Sequence, residues 1–365
     1  SAFVVGIYSS NNDATSLVSS ASGITLTSTG GRTENLTLTG NTVQNVFAGI
    51  VLRGFNHSTS PYDFHDQNAV VGSAGAGNII QNYAGNAAST SYGVYLIYQT
   101  SPTVSYNTIN NAGGGGANAT STLYGIFMSS TNAGGDFTAN NNVITLGQGA
   151  SSGAHCIYNA QPGTSITINS NTFSYGTFAS TTTSYLIYCS NATNNITMDG
   201  NATSGAISKT GAGTLYGCYD GGGPTGGTIT VNNNNFSNIT LTGASTFYGI
   251  YLGTSTTQVN VVTNNTVSNI TGGTNALYGI YQGYGAAGST INSNTVSNIS
   301  GTGTGIVYGM TVGQSTAPLG LTVYNNTISG LSTTGAGTVI GINNALGAAN
   351  EIYKNRIYNL QANNA

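Results

Sequence analysis

Apolar positions along this chain alternate with polar ones instead of falling at helical spacing. Runs such as Thr228-Ile229-Thr230-Val231, Ser165-Ile166-Thr167-Ile168 and Asn265-Thr266-Val267-Ser268-Asn269-Ile270 put an apolar residue at every second place. That is the pattern of a strand with one buried face. Gly, Asn, Ser and Thr separate the runs, and no segment sustains a 3.6-residue apolar period, so helices are not expected beyond a terminal cap. The runs also repeat. The hexapeptide at Asn265 returns as Asn294-Thr295-Val296-Ser297-Asn298-Ile299 and as Asn326-Thr327-Ile328-Ser329-Gly330-Leu331. Fainter copies begin at Asn41, Asn78, Asn107, Asn141, Asn171, Asn201, Asn234 and Asn355, so that eleven copies stand 29 to 37 residues apart. A second motif keeps the same period: Tyr92-Gly93-Val94-Tyr95, Tyr124-Gly125-Ile126-Phe127, Tyr216-Gly217-Cys218-Tyr219, Tyr248-Gly249-Ile250-Tyr251 and Tyr278-Gly279-Ile280-Tyr281. With the strand-like piece that precedes each Asn, every period predicts three short strands.

One such unit cannot bury its own apolar face, so neighbouring units must stack. Columns of equivalent positions then become predictions of the interior. Three residues before the repeated Asn stand Leu38, Val104, Ile168, Met198, Val231, Val262, Ile291, Val323 and Ile352. Two after it come Val43, Ile80, Ile109, Val143, Phe173, Phe236, Val267, Val296, Ile328 and Ile357. Five after it come Val46, Leu146, Ile239, Ile270, Ile299, Leu331 and Leu360. The Asn itself falls at a bend between inward columns, where its amide needs partners. Identical residues about 4.8 Å apart on successive strands supply them.

This arrangement resembles the asparagine ladder of right-handed parallel β-helices, the pectin-lyase-like superfold, and the resemblance covers essentially the whole chain. Long arrays rich in Gly, Asn, Ser and Thr are similar to the repeat regions of large secreted bacterial surface proteins and adhesins. The expected fold is all-β: a right-handed parallel β-helix (β-solenoid) with three strands per rung and about 11 rungs of ~31 residues. Residues 1–365 are expected to form a single solenoid domain, with longer irregular rungs in 1–93 and regular rungs in 94–365. Val5-Gly6-Ile7-Tyr8 and Asn355-Arg356-Ile357-Tyr358-Asn359-Leu360 read as strands without caps. Exposed pairing edges of that kind are covered in natural proteins. The expectation is a missing flank or stacking on other copies.

Composition narrows the function. Only 4% of residues are charged, against a usual ~25%. The net charge is −3, and five cations cannot form a phosphate-binding face, so no nucleic-acid partner is expected. Disorder is disfavoured by 23 Tyr and 10 Phe. No run of about 18 apolar residues exists, and membrane insertion is not expected. Cys156, Cys189 and Cys218 fall in strand-like segments and are too few for a disulfide framework, which points to small buried apolar residues. A basic and apolar leader is not visible from Ser1. No cofactor is expected.

Outward columns decide what such a scaffold does. Strict alternation in Tyr-Gly-Ile-Tyr turns only one Tyr column outward. With Ile inside, that column is Tyr95, Phe127, Tyr158, Tyr188, Tyr219, Tyr251 and Tyr281. An aromatic ladder beside uncovered glycines suits sugar stacking or packing on a neighbouring protein, and it equally serves as cover and cross-strand support for the sheet. The Asn strand presents Thr172, Ser174, Thr266, Ser268, Thr295, Ser297, Thr327 and Ser329 outward, and the strand before it adds Thr37, Thr103, Thr167, Thr197, Thr230, Thr290 and Thr322. Flat hydroxyl columns resemble the ice-binding faces of antifreeze β-solenoids, although β-propensity alone enriches Thr in sheets.

Enzyme chemistry must draw on few groups. Asp13, Glu34, Asp136, Asp199, Asp220 and Glu351 are scattered, and glycan hydrolysis needs two carboxylates within about 5–10 Å. The one local cluster is Arg53, His57, Asp63, His65 and Asp66. Asp63, His65 and Asp66 are its candidate metal ligands. No zinc-type spacing accompanies them, and a polar loop over a coil edge is the plainer explanation. His155 replaces a Tyr in its column and reads as structural. The expectation is a non-catalytic structural or adhesive segment, a stalk or filament of a secreted or cell-surface protein. Its partners would be glycans or copies of itself, end to end or side by side. The alternatives are an ice-binding protein and a polysaccharide-binding or polysaccharide-cleaving β-helix.

Overall fold

A computed structural model describes residues 4–11, 25–85, 89–113, 118–129, 135–149, 151–189, 193–222, 226–253, 257–313, 320–346 and 349–363. Within them the chain winds as a parallel β-solenoid of about 10 turns with almost no helix. One turn runs, for example, through Phe247–Leu252, Val259–Thr263 and Thr266–Gly272 before the next begins at Leu277. The strands of type Phe247–Leu252 form a first sheet of 11 parallel strands, and those of type Val259–Thr263 a second sheet of 11. Those of type Thr266–Gly272 form a third, along which Val267 lies opposite Val296 and Val296 opposite Ile328. All three are fully buried. A short extra pair, Asp66–Gln67 with Gln99–Thr100, stands beside the early rungs.

The bend between the second and third sheets explains why Asn so often comes in pairs. The residue just before the repeated Asn is left-handed: Asn233 at φ 53°, Asn264 at 56°, Asn325 at 55°, with Gly40 and Gly200 in the same role. Asn and Gly tolerate that region best. The second Asn makes the ladder. The sequence-based assignment at Asn141 is therefore corrected: Asn141 has φ 55°, and Asn142 carries the ladder. Val143 moves with it. It is 45% exposed, and Ile144 takes the inward place opposite Ile109 and Phe173. The same shift adds Thr138, opposite Thr103 and Thr167, to the outward Thr column of the second sheet.

Ladder amides within the stack are saturated. Asn265 Oδ1 accepts from the backbone N–H of Asn234 at 3.0 Å and from Asn234 Nδ2 at 2.9 Å. Its own Nδ2 donates to Asn294 Oδ1 at 2.9 Å and to the Val231 carbonyl at 2.8 Å. The chain of contacts runs from Asn41 through Asn78, Asn107, Asn142, Asn171, Asn201, Asn234, Asn265, Asn294 and Asn326 to Asn355. Buried polar groups are tolerated when satisfied in this way.

The first sheet departs from strict alternation. Gly249 and Ile250 both point inward, because a Cβ on Gly249 would stand 2.6 Å from Val267 Cγ2 and 2.6 Å from the Gly279 carbonyl oxygen. Gly217 and Gly279 are equally tight against Phe236 and Val296. A residue without a side chain most easily lets the strand turn two successive positions toward the core. Two exceptions, Cys156 and Leu186, occupy the glycine column, and both are buried. Interior columns reach the last rung, where Ile352, Ile357 and Leu360 are 39–43% exposed.

Candidate functional site

Because Gly and Ile both face the core, both tyrosines of the motif face outward, which corrects the single-column expectation. Tyr248 and Tyr251, three residues apart, have ring centroids 5.1 Å apart on one surface. The first column runs Tyr92, Tyr124, His155, Tyr185, Tyr216, Tyr248, Tyr278 and Tyr308. The second contains Tyr95, Phe127, Tyr158, Tyr188, Tyr219, Tyr251 and Tyr281, and ends at Thr311. The expected ladder residues are thus brought together, beside a column that alternation could not reveal.

The rings spend their faces on one another. Tyr248 and Tyr278 lie 4.4 Å apart at 7°, Tyr278 and Tyr308 4.7 Å at 10°, and Tyr251 and Tyr281 4.5 Å at 3°. Others, such as Tyr158 against Tyr188 at 4.5 Å and 89°, meet edge to face. Both geometries are favourable ring contacts. Edges and hydroxyls, more than flat faces, are what the surface offers. Tyr95 and Tyr281 are only 3% and 8% exposed, while Tyr216, Tyr248 and Tyr278 are half-buried. Burial pushes the Tyr95 hydroxyl up to about 12, so these groups stay neutral donors at ordinary pH. His155 sits between Tyr124 and Tyr185 at 5.0 and 5.2 Å, and burial lowers it to about 3.

The hydroxyl residues also form columns. Thr266, Thr295 and Thr327 lie one above another, as do Ser268, Ser297 and Ser329. Thr172 and Ser174 belong to a separate patch, since the next rung carries Ala202 opposite Thr172. Part of this surface is bonded to itself: Ser237 Oγ to Ser268 Oγ at 2.9 Å, and Thr145 Oγ1 to Ser174 Oγ at 2.7 Å.

The side chains of the early cluster are drawn into separate packing and hydrogen-bond contacts. His65 is fully buried between the rings of Tyr62 and Tyr98, at 5.6 and 5.7 Å, and burial lowers it to about 4. Asp66 Oδ1 accepts from the Thr33 backbone N–H at 2.8 Å and from Asn11 Nδ2, while Oδ2 accepts from Gln99 Nε2 at 3.4 Å. Asp63 is exposed, and its backbone carbonyl accepts from Arg32. Arg53 is fully buried, and His57 stacks on Phe64 at 4.3 Å. Among the described residues no three His, Cys, Asp or Glu are grouped to hold a metal ion.

Two further carboxylates lie in different surroundings. Asp199 faces outward and accepts from Asn232 and Asn233, both at 3.0 Å. Asp220 is buried inside the coil. Asp13 lies outside the described residues. A hollow of ≈ 380 Å³ at the first rung is lined by Gly6, Ile7, Asn41, Thr42, Val43, Gln44 and Val46, none of them ionisable. Cys156, Cys189 and Cys218 are free and buried, and desolvation pushes Cys156 up to about 12. No helix of the described residues is long and apolar enough to cross a membrane.

Sequence reasoning missed one group altogether. Lys209 is fully buried, and its ammonium donates to the carbonyls of Ser180, Gly211 and Ala212 at 2.6, 2.7 and 2.8 Å. Burial lowers it to about 8, which leaves it mostly protonated at neutral pH. The signal was a lone Lys after the apolar Ile207 in a charge-poor chain. Comparison with protein-family models, curated proteins and solved structures gives no match to this chain.

Proposed function

We propose that this chain is a non-catalytic structural element, a rigid stalk or adhesive segment of a protein that works outside the cell. The observation that carries the reading is the unbroken Asn ladder from Asn41 to Asn355, which makes successive rungs near-equivalent parts of one rod. The ionisable groups support it from the other side: Asp66, Asp199 and Lys209 are each engaged in hydrogen bonds within the scaffold. A surface of Ser, Thr, Asn and Tyr with 4% charge favours weak, repeated contacts over a single pocket. Adhesion would run along the first sheet, where Tyr219, Tyr251 and Tyr281 present edges and hydroxyls to glycans or to a second copy.

Two experiments test this. Incubation with neutral and acidic polysaccharides is expected to release no products; turnover that falls in Asp66→Asn would overturn the reading. On a glycan array, any ligand is expected to lose binding when Tyr219, Tyr251 and Tyr281 become Ala. Binding that survives removes the first sheet from the account. The Thr columns at Thr266, Thr295 and Thr327 favour a second reading, ice binding. It requires thermal hysteresis that Thr295→Tyr abolishes, and a wild-type protein without hysteresis ends it.

A further inference from the structure

The outer face of the first sheet concentrates one chemistry. From Tyr185 onward, five consecutive first-sheet strands carry a phenol in the first column or both columns, and the rings of adjacent strands touch. The chain has no Trp, and its three Cys are buried and free. Phenols are therefore the most readily oxidised side chains on its surface. Two pairs are set face to face with nearly parallel rings: Tyr248 on Tyr278 at 4.4 Å, and Tyr251 on Tyr281 at 4.5 Å. The Tyr281 and Tyr251 hydroxyls are hydrogen-bonded to each other. Rings stacked with their oxygens side by side also hold their ortho carbons side by side, and those carbons share the unpaired electron of a phenoxyl radical.

We propose that this face is an oxidative modification site, at which a one-electron oxidant joins tyrosines of successive rungs into dityrosine bridges, foremost Tyr248 with Tyr278 and Tyr251 with Tyr281. Each phenol gives one electron to the oxidant and its hydroxyl proton to water. The two ortho carbons then form a carbon–carbon bond, and the hydrogens on those carbons return to the oxygens as the rings regain aromaticity. The net loss is two electrons and two protons per bridge, which a haem peroxidase passes to hydrogen peroxide to give two waters. Contact between neighbouring rings lets a radical formed at half-buried Tyr216 or Tyr278 migrate to Tyr281, which is only 8% exposed. Each bridge is a covalent clamp between adjacent rungs. It is independent of whether the rod adheres to anything.

The test uses the whole chain and a small photo-oxidant, ruthenium tris(bipyridine) with persulfate, which takes up the two electrons as two sulfates. Chymotryptic mapping of the monomer is expected to show bridges between residues 247–252 and 277–282, each lighter by two hydrogens, with blue dityrosine fluorescence. The same oxidation in guanidinium is expected to lose this pairing, because only the folded stack selects it. Tyr278→Phe keeps the stacked ring and removes one phenol. It is expected to leave the Tyr251–Tyr281 bridge in place and to redirect Tyr248 to Tyr216, its parallel neighbour at 4.9 Å. Native protein that yields no bridge within the monomer, or the same pairings folded and unfolded, overturns the proposal.

Discussion

At the residue scale, the stability of this molecule rests on polar side chains as much as on apolar ones. Asn265→Ala removes the acceptor for two donors on Asn234 and the donor to the Val231 carbonyl, all inside the coil. Leaving such groups unsatisfied costs on the order of 3 kcal/mol, so chemical denaturation should show a loss of that size. The effect of Asn264→Gly is expected to be small, since Gly also adopts its φ of 56° and the side chain makes an exposed 3.3 Å contact with Asn232. Asp220 makes the opposite case. Burial raises its carboxyl from 3.8 to about 7, and only a long 3.4 Å contact from the Gly222 N–H opposes this. The folded state thus holds its proton more tightly than the unfolded chain does. The stabilisation is fully present below the unfolded value of 3.8 and is lost as pH rises through about 7. The linked free energy is about 4 kcal/mol. Asp220→Asn should raise the melting temperature above pH 7 and flatten its decline between mildly acidic and alkaline buffers. A variant that melts with the wild-type pH profile would show that Asp220 is not the group responsible.

At the scale of elements, the glycine column sets the shape of the first sheet. Gly249→Ala pushes a methyl group against Val267 and the Gly279 carbonyl. Overpacking of this kind costs roughly 1–3 kcal/mol. It should also disturb the outward pairing of Tyr248 with Tyr251, visible as a change in near-ultraviolet circular dichroism. Gly75→Ala is the contrast: no atom lies within 4 Å of the added carbon, and any penalty comes from its φ of 75° alone. The strands themselves were legible in the sequence, because β-branched residues at every second place mark them directly. The turn at Asn141 was not, since two adjacent Asn residues serve different purposes and only hydrogen-bond partners distinguish them. The second tyrosine column was hidden for a related reason. Alternation fails where two successive residues turn inward, most often with a glycine packed against the opposite wall, and the sequence carries no other mark of it.

For the whole molecule, repetition is the governing fact. Every turn contacts chiefly the turn before and the turn after, so stability should be close to a sum of rung and interface terms. Deleting residues 266–294, one period of 29 between ladder residues Asn265 and Asn294, joins Asn265 to Thr295 and preserves every column. This variant should fold with an unchanged strand signature in far-ultraviolet circular dichroism. Deleting roughly half a period places third-sheet residues over the first sheet and should prevent cooperative folding. Equal outcomes for the two deletions would contradict a solenoid.

By itself the sequence determined the period, the three strands per turn, the interior columns and the presence of a polar ladder. Each of these is a statement about residues one period apart, and parallel stacking brings such residues into contact whatever the details of the turns. Tertiary structure alone decided which of two Asn residues bends and which bonds, that both tyrosines face outward, and that their flat sides are turned to one another. It also decided that Lys209 lies inside a cage of carbonyls and that His65 is enclosed by rings. Those outcomes depend on directions and close approaches across the coil, between a glycine and a valine or an ammonium and a loop, which no spacing along the chain encodes.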